Sequence, residues 1–171
     1  MNKEDIKYFC SDIRHKLFFN PFELKPIIER RHKRGETIVF GNGCFDILHV
    51  GHARYLYAAK SLGDALIVAV NTDDSMARIK PDRKPVTPDY ERLEMIASFG
   101  AVDYVVPMEQ NDPCFLIDLY KPNIHTKGPD YKGRVFPEIP VVESYGGRIE
   151  FVGDPKNHST TQVLHTIRNS G

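Results

Sequence analysis

Apolar positions along the chain change their period several times, and the changes mark out its elements. Residues 65–70 read Ala-Leu-Ile-Val-Ala-Val without a polar break, which predicts a parallel strand buried on both faces. Shorter apolar or β-branched runs at 37–40, 104–106, 124–127 and 148–152 predict four more strands. Between them apolar residues recur at helical spacing, over 49–61, 90–99 and 113–120, near Val141 and over 161–168. In the first of these Leu56, Ala59 and Leu62 fall on the inward side. Strands alternating with helices predict an α/β protein built on a doubly wound parallel sheet, in which ligands bind beyond the carboxyl ends of the strands where the strand order reverses.

Ahead of this alternation, residues 1–34 read as an N-terminal helical extension, leaving 35–171 as the main domain. A helical pattern covers 4–18, Asn20-Pro21 breaks it, and a second covers 22–33 with Leu24, Ile27 and Ile28 on one face. The basic run from Arg30 to Arg34 is the cation-rich last turn of that helix, favoured by the macrodipole and closed by Gly35.

Composition narrows the class. With 171 residues, 23 lysines and arginines against 23 aspartates and glutamates, and 41% hydrophobic positions, the chain reads as one domain with a real core. Charge so balanced exerts no general pull on nucleic acid or an anionic membrane, so neither is expected as a partner, and anion binding should be local to a pocket. No apolar run approaches the roughly 20 residues that span a bilayer, and the start is too charged for a signal peptide, so the expected location is cytoplasmic. Cys10, Cys44 and Cys114 are odd in number and lack paired spacing, against both a disulfide framework and a zinc site.

The candidate chemistry sits between Ile38 and Leu56, IVFGNGCFDILHVGHARYL. A strand stops at a glycine pair, the chain turns through Asn42 to Asp46, and a helix opens on His49, Gly51 and His52. Gly41 and Gly43 admit close backbone approach, and the first helical amides carry partial positive charge, so the site suits an anion. Two imidazoles three positions apart share one side of the first turn and can donate to one phosphate. A metal pair would need a third ligand, and none lies nearby in the sequence.

The string GNGCFDILHVGH resembles the HxGH signature of the nucleotidyltransferase superfamily, in its cytidylyltransferase-like branch, and is most similar to D-glycero-β-D-manno-heptose 1-phosphate adenylyltransferases. The resemblance implies a Rossmann-like fold, and a nucleotide-phosphate turn made by Asn42, Gly43, Cys44, Phe45 and Gly51. Cys44 stands where relatives carry a small residue, so its backbone and modest bulk serve the turn. Catalysis is implied for His49, His52 and Lys80, the last in a basic, proline-braced loop from Arg78 to Pro85 whose plainer reading is a solvated charge run. Asp46, Asn71, Asp73 and Arg92 are implied on the substrate side, although Asp73 also reads as a helix cap. Lys127-Gly128-Pro129-Asp130-Tyr131 is similar to KGGDY, with Lys127 and Asp130 as nucleotide contacts and Pro129 replacing a glycine. Ser159, Thr160 and Thr161 match an STT element at the last helix, where an ordinary N-cap needs only one hydroxyl. Gly41 departs from a hydroxyl residue common in relatives.

From the resemblance the expected reaction is AMP transfer from ATP to a heptose 1-phosphate, with pyrophosphate leaving in line. Mg²⁺ would be the cofactor, held with few protein ligands and several waters and giving no dedicated metal residues. The partners are ATP and a sugar 1-phosphate, and a homodimer is carried over from relatives. A glycerol 3-phosphate cytidylyltransferase-like enzyme using CTP, or a nucleotide-binding module without catalysis, are the alternatives.

Overall fold

The structure is a computed structural model that describes residues 10–82, 84–154 and 160–169. Five strands, β1 (Ile38–Gly43), β2 (Ala65–Asn71), β3 (Tyr104–Met108), β4 (Ile124–Lys127) and β5 (Arg148–Phe151), form one sheet in the order β3-β2-β1-β4-β5. All four pairings are parallel. Seven α-helices accompany them among the described residues: α1 (Pro21–Lys33), α2 (Val50–Lys60), α3 (Asp73–Ile79), α4 (Asp89–Ala97), α5 (Cys114–Tyr120), α6 (Glu138–Ser144) and α7 (Thr160–Asn169). The doubly wound arrangement expected from the alternation is present.

Alternation along the strands separates two cores. Val39, Leu66, Val68, Val70 and Val105 point to one face and pack with Leu56 and Ala59 of α2 and with Leu93, Ile96 and Ala97 of α4. Ile38, Phe40, Ala65, Ile67 and Ala69 point to the other and pack with Leu24 and Ile28 of α1, Leu116, Ile117 and Tyr120 of α5, and Val142 of α6. Every residue of β2 is buried, the physical reason for its unbroken apolar run. Each such aliphatic side chain taken fully from water contributes about 2 kcal/mol.

The chain leaves β1 for β2 and β3 on one side, then returns to lay β4 and β5 on the other. The strand order therefore reverses between β1 and β4, and the crevice at their carboxyl ends is where this topology places ligands.

Two expectations change. The helix expected over 4–18 is, in its described part, a 3₁₀ segment Ser11–Lys16 followed by a parallel bridge from Leu17 to Val105, with Phe18 N–H donating to Val105 O at 2.9 Å. The apolar residues there serve the free edge of β3 rather than a helical face. The segment after β2, read as a strand end and a basic loop, holds α3, capped by Thr72, whose hydroxyl accepts from Ser75 N–H at 3.2 Å. The helix over 22–33 matches α1, whose four basic residues in the last turn precede Gly35 at φ 75°.

Candidate active site

β1 runs through both glycines to Gly43 before the chain turns. A Cβ on Gly43 would stand 3.0 Å from the Phe45 ring, so the missing side chain is the space that ring occupies. Phe45 itself takes φ 49°, a left-handed backbone that costs a non-glycine residue roughly 1–2 kcal/mol, and its ring tilts over His52 at 5.4 Å between centroids.

Behind the turn lies a set of polar braces, Asp46 and Arg92 buried and Asp73 partly exposed. The Asp46 carboxylate accepts from Val86 N–H at 2.7 Å and Thr87 N–H at 3.1 Å, and its carbonyl accepts from the Thr87 hydroxyl at 2.7 Å. Arg92, 1% exposed, donates to Thr87 O, Cys44 O and the Asp73 carboxylate, the last at 2.7 Å. Three residues expected on the substrate side, Asp46, Asp73 and Arg92, are thus placed off the cavity wall, where they fasten the turn to the loop before α4.

In front of the turn His49 is the N-cap of α2 and His52 its third residue. Their rings stack with centroids 3.9 Å apart at 27°. The His49 amide donates to His52 Nδ1 at 3.3 Å. An accepting Nδ1 carries no proton, so neutral His52 is the Nε2–H tautomer. Burial, and then the neighbouring His49, lower the His52 pKa to about 4, so at neutral pH it is a neutral donor.

These groups open on a cavity of about 670 Å³ at the switch point. From the expected set it is lined by Asn42, Gly43, Cys44, Phe45, His49, Gly51 and His52 on the turn side. Asn71, Lys80, Lys127, Asp130 and Thr160 complete the other walls. Lys80 closes α3 and donates to Cys44 Sγ at 3.5 Å. Asn71, 2% exposed, donates to Ser75 Oγ at 2.8 Å. The Thr160 hydroxyl donates to Ile47 O at 3.3 Å, tying the start of α7 to the turn. Ser159 and the Thr161 side chain lie outside the described residues.

Sequence reasoning missed Tyr55, Asn111, Asp112, Tyr131, Phe136 and Glu138, all on the wall. Gly41 carried a signal for the first. A Cβ there would stand 2.5 Å from the Tyr55 hydroxyl, which donates to Thr126 O at 3.0 Å and bonds the Thr126 hydroxyl at 2.9 Å. Burial pushes that phenol up to about 12, so it stays protonated. Among the described residues no three His, Cys, Asp or Glu side chains gather as a metal site.

A cytidylyltransferase-like family model matches residues 40–161, from β1 to the start of α7, and so covers the strand-turn-helix unit and both walls of the cavity. The chain belongs to the cytidylyltransferase-like family. Within it, this chain is 45% identical over 146 residues to the bifunctional protein HldE of Nitratiruptor sp., covering 85% of this chain and 31% of that one. To the bifunctional protein HldE of Geobacter metallireducens it is 44% identical over 144 residues, 84% of this chain and 29% of the relative. The chain therefore spans less than a third of the length of these curated relatives. The crystal structure of the lipopolysaccharide core biosynthesis protein from Thermoplasma volcanium GSS1 superposes with a TM-score of 0.58 at 31% identity, over 71% of this chain and all of that one. The extension before Phe40, including α1 and the bridge to β3, lies outside the cytidylyltransferase-like match. No helix among the described residues is long and apolar enough to cross a membrane.

Proposed function

We propose that this cytidylyltransferase-like chain transfers AMP from ATP to heptose 1-phosphate, releasing pyrophosphate by direct in-line displacement. The carrying observation is the stacked His49/His52 pair at the mouth of α2, with His52 neutral and fixed in tautomer, on the wall of the cavity at the strand switch point. The attacking oxygen belongs to a phosphate that is already ionised, so no strong base is needed. The work is to hold two polyanions together and to receive charge gathering at the α-phosphate. His52 Nε2–H, His49 and the first amides of α2 are oriented donors for that charge, and Lys80 adds a cation from the opposite side. Asn42, Gly43, Cys44, Phe45 and Gly51 would shape the phosphate bed, with Lys127, Asp130 and the Thr160 end of α7 closing it. Asn71 would meet the acceptor, while Asp46, Asp73 and Arg92 act on substrate by holding the turn. Mg²⁺ bound with the nucleotide would supply charge neutralisation on the phosphate oxygens.

The heptose acceptor rests on the similarity of Val102 to Val106, Glu143 to Arg148 and the Ser159-Thr160-Thr161 ending to heptose 1-phosphate adenylyltransferases, and on the identity to HldE. The missing hydroxyl at Gly41 does not argue for a silent module, because the Tyr55 hydroxyl fills that place. A homodimer is proposed on the family resemblance, and sedimentation equilibrium tests it by returning the mass of one chain or two. The function is tested by pyrophosphate release with Mg²⁺, each of the four nucleoside triphosphates, and heptose 1-phosphate or glycerol 3-phosphate. Release with ATP and heptose 1-phosphate is expected. A CTP and glycerol 3-phosphate pair replaces the substrates and keeps the mechanism, and silence with every pair overturns the reading.

A further inference from the structure

The β4 wall of the cavity contains a charge pair that the reaction as described does not use. Lys127, at the end of β4, is 7% exposed, and Glu138, in the first turn of α6, is 3% exposed. The Lys127 ammonium donates to the Glu138 carboxylate and, at 3.2 Å, to Asn42 Oδ1 in the phosphate turn. The Tyr131 and Phe136 rings cage it, with centroids at 5.0 Å and 5.6 Å. A carboxylate buried this deeply is costly unless a donor meets it.

His125 is too poor a partner to take that role. Its ring is fully buried, and Nε2 lies 4.0 Å from the same Glu138 oxygen with no hydrogen-bond partner. Nδ1 stands 3.3 Å from Phe40 O, which only accepts, so Nδ1 holds the ring proton and Nε2 presents a lone pair. Burial, then the Lys127 charge, lower the His125 pKa to about 3, which keeps the ring neutral. Two acceptors face each other across that gap, so the carboxylate is held on Lys127. The pair has little net charge, and what Lys127 offers a ligand is an N–H of fixed position.

We propose that Glu138 is a positioning residue for nucleotide binding: it holds the Lys127 ammonium between the aromatic rings and against Asn42, aimed into the cavity. The proposal rests on the reading of Lys127 as a nucleotide contact, and takes from it the residue through which Glu138 acts. Without the carboxylate a long flexible cation loses its fixed direction, and Asn42 loses a donor that ties the phosphate turn to β4.

Steady-state pyrophosphate release by E138Q, E138D, K127M and the double variant K127M/E138Q tests this, with a thermal melt of each. E138Q is expected to raise the nucleotide KM about tenfold and leave the acceptor KM unchanged, E138D to recover part of the loss, and the double variant to be no worse than K127M. A merely structural role would instead raise both KM values and lower every melt together. Nucleotide KM and kcat for E138Q within twofold of wild type, or losses that multiply in the double variant, overturn the role of Glu138. E138Q leaves a buried ammonium unpaired, whereas K127M/E138Q carries neither charge. If E138Q does not fold, E138D and K127M/E138D complete the same cycle with the same two outcomes. Wild-type silence with every triphosphate removes the nucleotide reading itself, and activity with an unaltered E138Q removes only the inference.

Discussion

The two sides of the cavity bury polarity in opposite ways. On the turn side the ionic groups stand behind the wall, where Arg92, Asp73 and Asp46 fasten the backbone, and what is offered to a ligand is amides, the Cys44 side chain and the stacked histidines, with His52 uncharged. On the β4 side the ions are in the wall itself, with Lys127 meeting Glu138 beneath two aromatic rings. Oriented neutral donors need no reorganisation as charge develops, which suits a site of chemistry, whereas a self-neutralised pair suits grip and placement.

The contrast breaks most visibly at His52. His52→Ala is expected to lower kcat by about 10³-fold while the melt stays close to wild type, which steady-state pyrophosphate release and calorimetry check. A kcat within a few fold would move the chemistry off the turn side. Arg92→Ala comes next, with stability reduced by about 3 kcal/mol in urea unfolding, because the Cys44 and Thr87 carbonyls lose a buried donor and Asp73 its ion partner. Unchanged stability would mean that the brace is idle.

Lys80 sharpens the comparison, since it is exposed and reaches the turn from outside. Lys80→Ala should reduce kcat/KM roughly 30-fold with no measurable change in stability. The smallest effect concerns pH. The native His125 pKa of about 3 lies below the ordinary value of 6.5, so as pH falls through 6.5 the unfolded chain binds a proton that the native chain refuses. Stability is complete above 6.5 and is lost progressively down to about 3, with roughly 1 kcal/mol already gone between pH 8 and pH 6. Urea midpoints across that range should show the slope in wild type and less of it in His125→Leu.

The turn side was legible because its residues are contiguous: strand, glycines and both histidines lie within one strand-turn-helix unit, and the periodicity on either side says which is which. The β4 wall was half legible. Lys127, Asp130 and Tyr131 stand in a recognisable string, although the string did not say that the Tyr131 ring would line the cavity, whereas Phe136 and Glu138 lie beyond it, just before and at the start of α6, and nothing at their own positions distinguishes them from surface residues. Arg92, Asp73 and Asp46 carry a different lesson. Residue type and motif located them near the site, yet whether a guanidinium faces substrate or a carbonyl depends on packing that spacing does not encode. The short α3 was hidden for a related reason, since it has seven residues and buries only Ser75 and Met76.

The bridge from Leu17 to Val105 has a consequence for how the protein behaves in concentrated solution. A parallel sheet that ended at β3 would present a row of open amides and carbonyls, the template on which strands of separate molecules stack into aggregates. Leu17 and Phe18 occupy part of that row, so the segment outside the family match acts as a guard rail for the sheet. A truncated chain beginning at Pro21 is expected to scatter more light than the full chain at high concentration, which dynamic light scattering checks.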